Sequence, residues 1–380
     1  MSKVKIVFFL LAGSLVAMAA WLVQVPNPVQ ADDIPEKYRD TVRKGLEFLI
    51  KNQHKDGHWE GDDGSHPVAM TGLVGIALLM EGNRQLIEGD GPKISHGKHV
   101  DNLWKAVNWL NERSKARLKG PMISEHPSET GRYMEGHGLA TMFLAGALRT
   151  ARDDKEEEIV NIALRRAVSY IASAQSSQGG WYHTSKVEGH DLDAVAATVI
   201  QIQALEAAAE RGFPVSREVV NDALEYMRTA MADHEKGGVS NRSRYADTAA
   251  AYVCRNNFTP YQPNWKIDEP SKGWLRYCHD GIKVGPGCDL GRDELMHYYY
   301  AQALMIPSRV RRIDPGAWND YRTAMFDHLQ KSQDKDGGWP AANGLGVGRL
   351  YATAVWCIVM QLDNGSHPAI RWPEDYMPIK

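Results

Sequence analysis

Apolar residues along this chain fall into two alternating kinds of segment. In the first they recur at helical spacing on a polar background, as in YRDTVRKGLEFLIKNQ, which ends at Gln53, and ALRRAVSYIASAQ at 163–175. That spacing predicts amphipathic helices with one buried stripe. In the second the run is apolar almost all round: VAMTGLVGIALLM, GLATMFLAGAL, AVAATVIQIQAL, ADTAAAYV, MHYYYAQAL and YATAVWCIVMQL. A helix apolar on every side must be buried on every side. The alternation therefore predicts about six helical pairs, starting near residues 39, 102, 162, 219, 271 and 317, each with an outer and a central member. Strand-like alternation of comparable length is not found, so the predicted class is all-α. Paired helices stack into an open solenoid or close on themselves. The Ala, Gly and Thr of the central runs allow close approach around an axis, which favours an (α/α)6 toroid of about six hairpins.

Between outer and central segments one phrase recurs: NQHKDGHWEGD at 52–62, AQSSQGGWYHT at 174–184 and SQDKDGGWP at 332–340. Each copy has Gln, a short polar turn, Gly and Trp, giving the pairs Gln53/Trp59, Gln175/Trp181 and Gln333/Trp339. Repetition at one place in a unit points to architecture. The Trp is expected to cover the start of its own inner helix and the Gln amide to bind backbone groups at a helix end. The phrase thus reads as a structural clasp.

The N-terminus adds a compartment. Lys3 and Lys5 precede IVFFLLAGSLVAMAAWLV, and VQA at 29–31 offers small residues for cleavage. This predicts a signal peptide over 1–31 and a single toroid domain over 32–380, exported to the periplasm or beyond. An uncleaved membrane anchor is the alternative. Without the two lysines of 1–31 the formal charge moves from −3 to −5, which speaks against a nucleic-acid partner. After cleavage no membrane span is expected.

In an exported chain the four cysteines, Cys254, Cys278, Cys288 and Cys357, permit disulfides, and Cys278–Cys288 would close a short loop. Cys357, in AVWCIVM, reads as a buried free thiol. With neither CxxC nor HExxH spacing, no metal and no cofactor are expected.

The Gln…Gly-x-Trp phrases resemble the QW motifs of the squalene–hopene cyclase and protein prenyltransferase β superfamily. Across nearly the whole mature chain the sequence looks like the exported bacterial prenyltransferase and squalene oxidase repeat proteins, through MEGHGLATMFLAGAL (134–148), HDLDAVAATVIQIQALEAA (190–208), HYYYAQAL (297–304) and YATAVWCIVMQL (351–362). The resemblance implies a terpenoid-cyclase-like toroid. It also implies places to look for chemistry. The cyclases use the middle acid of a DxDD motif; here Asp191 and Asp193 match, and Ala194 replaces the last acid. Asp247 occupies a similar position in RYADTAAA. The prenyltransferase zinc motif DxC is absent, since Ala249 follows Asp247 and Leu295 follows Asp293.

Polar residues concentrate before and at the starts of the inner segments, Glu294 among them. As catalytic candidates they are Asp193, Asp191, His190 and Asp247. As binding candidates they are His66, Glu135, His137, Arg244, Asp293, His297 and Tyr299. Acids at helix starts also serve as caps, and core histidines as hydrogen-bonded fillers. Three functions follow: a toroid holding a small apolar or carbohydrate ligand, or an envelope protein, in its central funnel; a metal-independent, cyclase-like isoprenoid enzyme using Asp193; and a carbohydrate-active toroid with paired carboxylates such as Glu135 and Asp193.

Overall fold

The computed structural model describes residues 34–82, 85–87, 92–94, 99–232, 242–258, 268–310, 315–341 and 347–370. The expected signal segment, 1–31, lies outside these residues. Outer and inner helices alternate as the hydrophobic pattern requires. The pairs are α1 (Glu36–Lys51) with α2 (Pro67–Gly82), α3 (Val100–Ala116) with α5 (Tyr133–Ala147), and α6 (Asp154–Ala174) with α7 (Val195–Ala209). They continue with α8 (Arg217–Ala232) and α9 (Arg242–Phe258), α10 (Glu269–Gly281) and α11 (Glu294–Met305), and α12 (Pro315–Ser332) and α13 (Arg349–Met360). A one-turn helix, α4 (Pro127–Thr130), precedes α5. A small antiparallel hairpin, β1 (Gln85–Ile87) and β2 (Pro92–Ile94), pairs Gln85 with Ile94 between α2 and α3. Among the described residues the fold is all-α apart from that hairpin.

The inner helices touch in a closed circuit: α2 on α5, α5 on α7, α7 on α9, α9 on α11, α11 on α13, and α13 back on α2. Small residues set the closest approach. A Cβ on Gly72 of α2 would lie 2.6 Å from the Ala140 backbone nitrogen of α5, so only hydrogen fits between these helices. Gln203 of α7 donates to Gln302 Oε1 of α11 at 2.9 Å. Those two helices are separated in the circuit by α9, so the bond spans its inside and puts a polar bridge there.

The Trp phrase proves to be a three-way joint. Each indole Nε1 donates back to its own outer helix, Trp59 to the Leu49 carbonyl at 2.7 Å, Trp181 to Ile171 at 2.8 Å and Trp339 to Leu329 at 2.9 Å. Each Trp backbone N–H donates to a threonine of its own inner helix, Thr71, Thr198 or Thr353. All three indoles are fully buried. The glutamines do something the sequence reading did not anticipate. Rather than filling vacant groups at a helix end, each amide bridges its own turn and the next outer helix. Gln53 donates to the carbonyls of Gly57 and Asn102, Gln175 to Gly179 and Val219, and Gln333 to Gly337 and Thr41. The register repeats. Three residues beyond each accepting carbonyl, the helix backbone presses on the turn glycine: Lys105 on Gly57, Asp222 on Gly179 and Lys44 on Gly337. These glycines have φ of +107°, +93° and +96°, a conformation closed to most side chains. The third joint docks the last hairpin on the first.

Two hairpins that lack the phrase use a buried histidine instead. His137 of α5 accepts from the Met122 N–H at 3.0 Å through Nδ1, and its Nε2 donates to the Ala167 carbonyl of α6. His297 of α11 bonds Tyr321 of α12 through Nδ1 and the Lys283 carbonyl through Nε2. In both, an imidazole ties the connecting loop to the next outer helix. All four cysteines are buried and none forms a disulfide, so the Cys278–Cys288 bridge that the spacing permits is not made. Cys278 lies instead against the Tyr245 carbonyl at 3.8 Å.

Candidate functional site

The half motif HDLDA turns toward the hairpin turn of its own repeat. Asp191 is exposed and accepts from the Ser177 N–H at 2.7 Å, which holds its pKa below the usual carboxylate range. Asp193 accepts from the Ser176 hydroxyl. Both acids therefore brace the 174–184 turn, directly after the end of α6. Helix α7 begins at Val195, and its N-cap, Ala194, makes no side-chain cap bond, so Asp193 does not cap it. His190 is exposed beside them.

Capping does not describe the other two acids either. Helix α9 starts at Arg242, upstream of the position expected, which puts Asp247 in its second turn. Asp293 stands at the N-cap of α11 but accepts from the Asp289 N–H, not from a helix N–H. The carboxylate that does cap an inner helix is one the sequence did not single out. Glu129 of α4, almost fully buried, accepts from Val68 and Ala69 at the start of α2 and from Ser124. Its signal was faint, because a cap supplied from another repeat leaves no local spacing to read.

The remaining candidates separate into two groups. Around α2 and α5, Glu135 is bonded to Arg132 and to His183 Nδ1. His66 adopts φ +52° and its backbone N–H donates to Ser128, while burial pulls the pKa of its ring down. His137 and His297 sit in the core, where burial lowers each pKa to about 4 and keeps the ring neutral at pH 7. Arg244, in the first turn of α9, lies close enough to Tyr277 to lower that phenol's pKa against the upward pull of its burial.

The second group lies at the N-terminal ends of α9, α11 and α13. Asp247 is half-buried, and burial raises its pKa to about 6. Among the described residues its carboxyl group has no hydrogen-bond partner. Tyr226 of α8 is pushed up to about 12 chiefly by burial and then by the charges of Asp193 and Asp247, and Asp247 also acts on Tyr299 of α11, raised as well. Glu294, the first residue of α11, is buried, and burial together with the nearby Asp293 and Asp289 raises it to about 7. Glu294 acts in turn on Tyr351 of α13. The hydroxyls of Tyr226, Tyr299 and Tyr351 make no hydrogen bond among the described residues. Two carboxyl groups and three phenols thus lie near one another with most of their hydrogen-bonding capacity unused. Of these five Asp247, Glu294 and Tyr299 stood out in the sequence. Tyr226 sits on an outer helix, and nothing local marks it.

A cleft of about 270 Å³ lies elsewhere, between α6, the C-terminal half of α7 and the start of α8, lined mainly by apolar residues such as Leu205, Phe213 and Val219. It holds no acid. A third group was overlooked in the sequence: His54, His58 and Glu60, with ligand atoms all within 4.8 Å of one another. The spacing His-x3-His-x-Glu was the available signal, hidden inside the Trp phrase.

Comparison with the models of protein families and with curated proteins gives no match for this chain. No helix among the described residues is long and apolar enough to cross a membrane.

Proposed function

We propose that this chain is an exported ring of helical hairpins, of the terpenoid-cyclase-like kind that its Trp phrases resemble, which binds a hydroxyl-rich, carbohydrate-like ligand. The site is the group of acids and phenols at the N-terminal ends of α9, α11 and α13. One observation carries this reading: Asp247, Glu294, Tyr226, Tyr299 and Tyr351 lie within electrostatic reach of one another in a chain and, apart from the bond of Glu294 to its own backbone N–H, their side-chain oxygens have no hydrogen-bond partner among the described residues. None of these oxygens is a fully buried atom lacking a partner, so they open on solvent, where a ligand can reach them and supply hydrogen bonds. Sugar hydroxyls both donate and accept, as do phenols, and aromatic faces suit the apolar faces of sugar rings. Export is supported by the charged and apolar pattern of residues 1–31.

The cyclase-like alternative loses its main residue. Asp193 is held through Oδ1 by Ser176, outside the motif that the cyclases use, while its charge reaches Tyr226. Asp247 is a weakened acid, with its pKa raised to about 6, whereas protonating an alkene demands a strong one. In the carboxylate pair, Glu135 Oε1 is bonded to His183 and Asp193 Oδ1 to Ser176, while Glu135 Oε2 is buried without a partner.

The test is calorimetric titration with a panel of soluble oligosaccharides, alongside farnesol as an isoprenoid probe. Saccharide binding that weakens at least tenfold in Tyr299→Phe and Asp247→Asn, with farnesol inert, is the expected result. Binding of farnesol alone, or saccharide binding indifferent to both substitutions, would overturn the assignment.

A further inference from the structure

The first Trp phrase carries side chains that its turn does not need. In all three copies one backbone bond closes the turn: His54 N–H to His58 O, Ser176 N–H to Gly180 O and Asp334 N–H to Gly338 O, each at 2.9 Å. The position of His58 is glycine in the other two copies, Gly180 and Gly338. The position of His54 is Ser176 or Asp334, and that of Glu60 is Tyr182 or Pro340. The fold therefore tolerates their absence, and two imidazoles and a carboxylate converge only here.

Their geometry is that of a cation site. His54 Nε2 lies 3.2 Å from Glu60 Oε1, and His58 Nε2 lies 3.2 Å from Glu60 Oε2. The two rings stack with centroids 4.3 Å apart, and His58 stacks in turn on Trp109, which holds its plane. On its far side His58 Nδ1 is 2.6 Å from Asp56 Oδ1, and Asp56 Oδ2 also accepts from the Trp109 indole. A carboxylate only accepts, so the proton of a neutral His58 sits on Nδ1. That leaves the Nε2 lone pair facing a second carboxylate oxygen, and two acceptors at hydrogen-bond distance need a cation between or beside them. A carboxylate behind the imidazole, orienting it toward a metal, is the usual support of a metal-ligating histidine. Bonds of about 2.0–2.1 Å in a tetrahedral site put neighbouring ligand atoms about 3.3 Å apart, close to the two His–Glu separations of 3.2 Å, and the three residues' ligand atoms all lie within 4.8 Å of one another. His54 is largely exposed and Glu60 about a third exposed, which leaves the remaining coordination position open to water.

We propose that His54, His58 and Glu60 form a binding site for a divalent transition metal, with Asp56 as the positioning carboxylate. Two imidazoles and one carboxylate suit zinc. The site replaces the sequence-based expectation that the protein takes no metal. That expectation rested on CxxC and HExxH spacings, which this turn does not use.

The experiment is titration of the purified, chelator-treated protein with Zn²⁺ by calorimetry and with Co²⁺ by visible absorption. One equivalent should bind, with the intense visible bands of four-coordinate cobalt. His58→Gly and His54→Ser install the residues of the sister turn at 174–184, so both variants should keep the far-UV circular dichroism and urea midpoint of the parent. Each should lose zinc affinity at least tenfold, and Asp56→Asn should weaken it by about 10–100-fold. Absence of stoichiometric binding by the parent would overturn the proposal and leave a proton as the cation of the cluster. So would binding that survives in the His54→Ser/His58→Gly double variant.

Discussion

Trp339→Ala tests the joint that connects the last hairpin to the first. The indole is fully buried, packs against the Gly45 position of α1, and donates to the Leu329 carbonyl at 2.9 Å. Burying roughly 200 Å² of indole at about 25 cal/mol per Å² contributes about 5 kcal/mol, an upper bound because the unfolded chain already hides part of that area. Truncation of buried aromatics costs about 3–5 kcal/mol. Losing the N–H bond, and leaving the Leu329 carbonyl without it, lies within that total. Trp339→Phe separates the two contributions, since it keeps most of the packing and drops the N–H, at a cost of about 1–2 kcal/mol. The assay is urea unfolding followed by far-UV circular dichroism, with the slope compared between variants to check that the same surface is exposed. Because Gln333 and Gly337 dock on α1 through Thr41 and Lys44, Trp339→Ala should also increase hydrogen exchange in α1, which lies about 290 residues away in sequence. A loss below about 1 kcal/mol, or a full-sized loss with α1 protection unchanged, would refute the three-way joint.

Further expectations concern the same turns and the acid–phenol group. Gly337→Ala places a methyl 2.3 Å from the Lys44 carbonyl oxygen at φ +96°, so it should cost at least about 1–3 kcal/mol in the same urea assay. Asp247 has its pKa raised to about 6 from 3.8, so the folded state holds this proton more tightly. Its contribution therefore favours folding below about pH 4 and is lost as pH rises from 4 to 6; Asp247→Asn should remove that slope and raise stability at pH 7 by up to about 3 kcal/mol. His137 and His297 act with the opposite sign. Each is lowered to about 4 from 6.5, so stability should fall as pH drops from 6.5 toward 4, and a pH series of urea midpoints on His297→Gln should show a smaller fall below pH 6.5. Asp193→Asn should weaken the Ser176 bond, lower stability by about 1 kcal/mol, and leave saccharide titrations unchanged; a selective loss of binding would return Asp193 to the site.

The sequence by itself determined the helix pairs. All-round apolar runs can only be buried and one-sided ones can only be half-buried, so α2, α5, α7, α9, α11 and α13 were legible as inner helices and their partners as outer ones. The Trp phrase announced itself by repetition, and the indoles form the clasp between each outer helix and its own inner helix. What the phrase joins beyond its own hairpin was decided only in three dimensions. Gln333 meets Thr41 because the last hairpin lies beside the first, and no local spacing encodes a contact between the two ends of a chain. The candidate site divides in the same way. Asp247, Glu294 and Tyr299 could be picked out as polar groups near the starts of inner segments, but Tyr226 reaches them from an outer helix and Tyr351 is placed beside them only by the fold. Asp193 looked catalytic through its motif, yet its direction depends on where α7 begins and on a serine seventeen residues upstream. His54, His58 and Glu60 are close in sequence but became a cluster only when the turn folded back and Trp109, from the next outer helix, fixed the ring between two carboxylates. Helical periodicity is a property of neighbours along the chain. The sites are made where different hairpins meet.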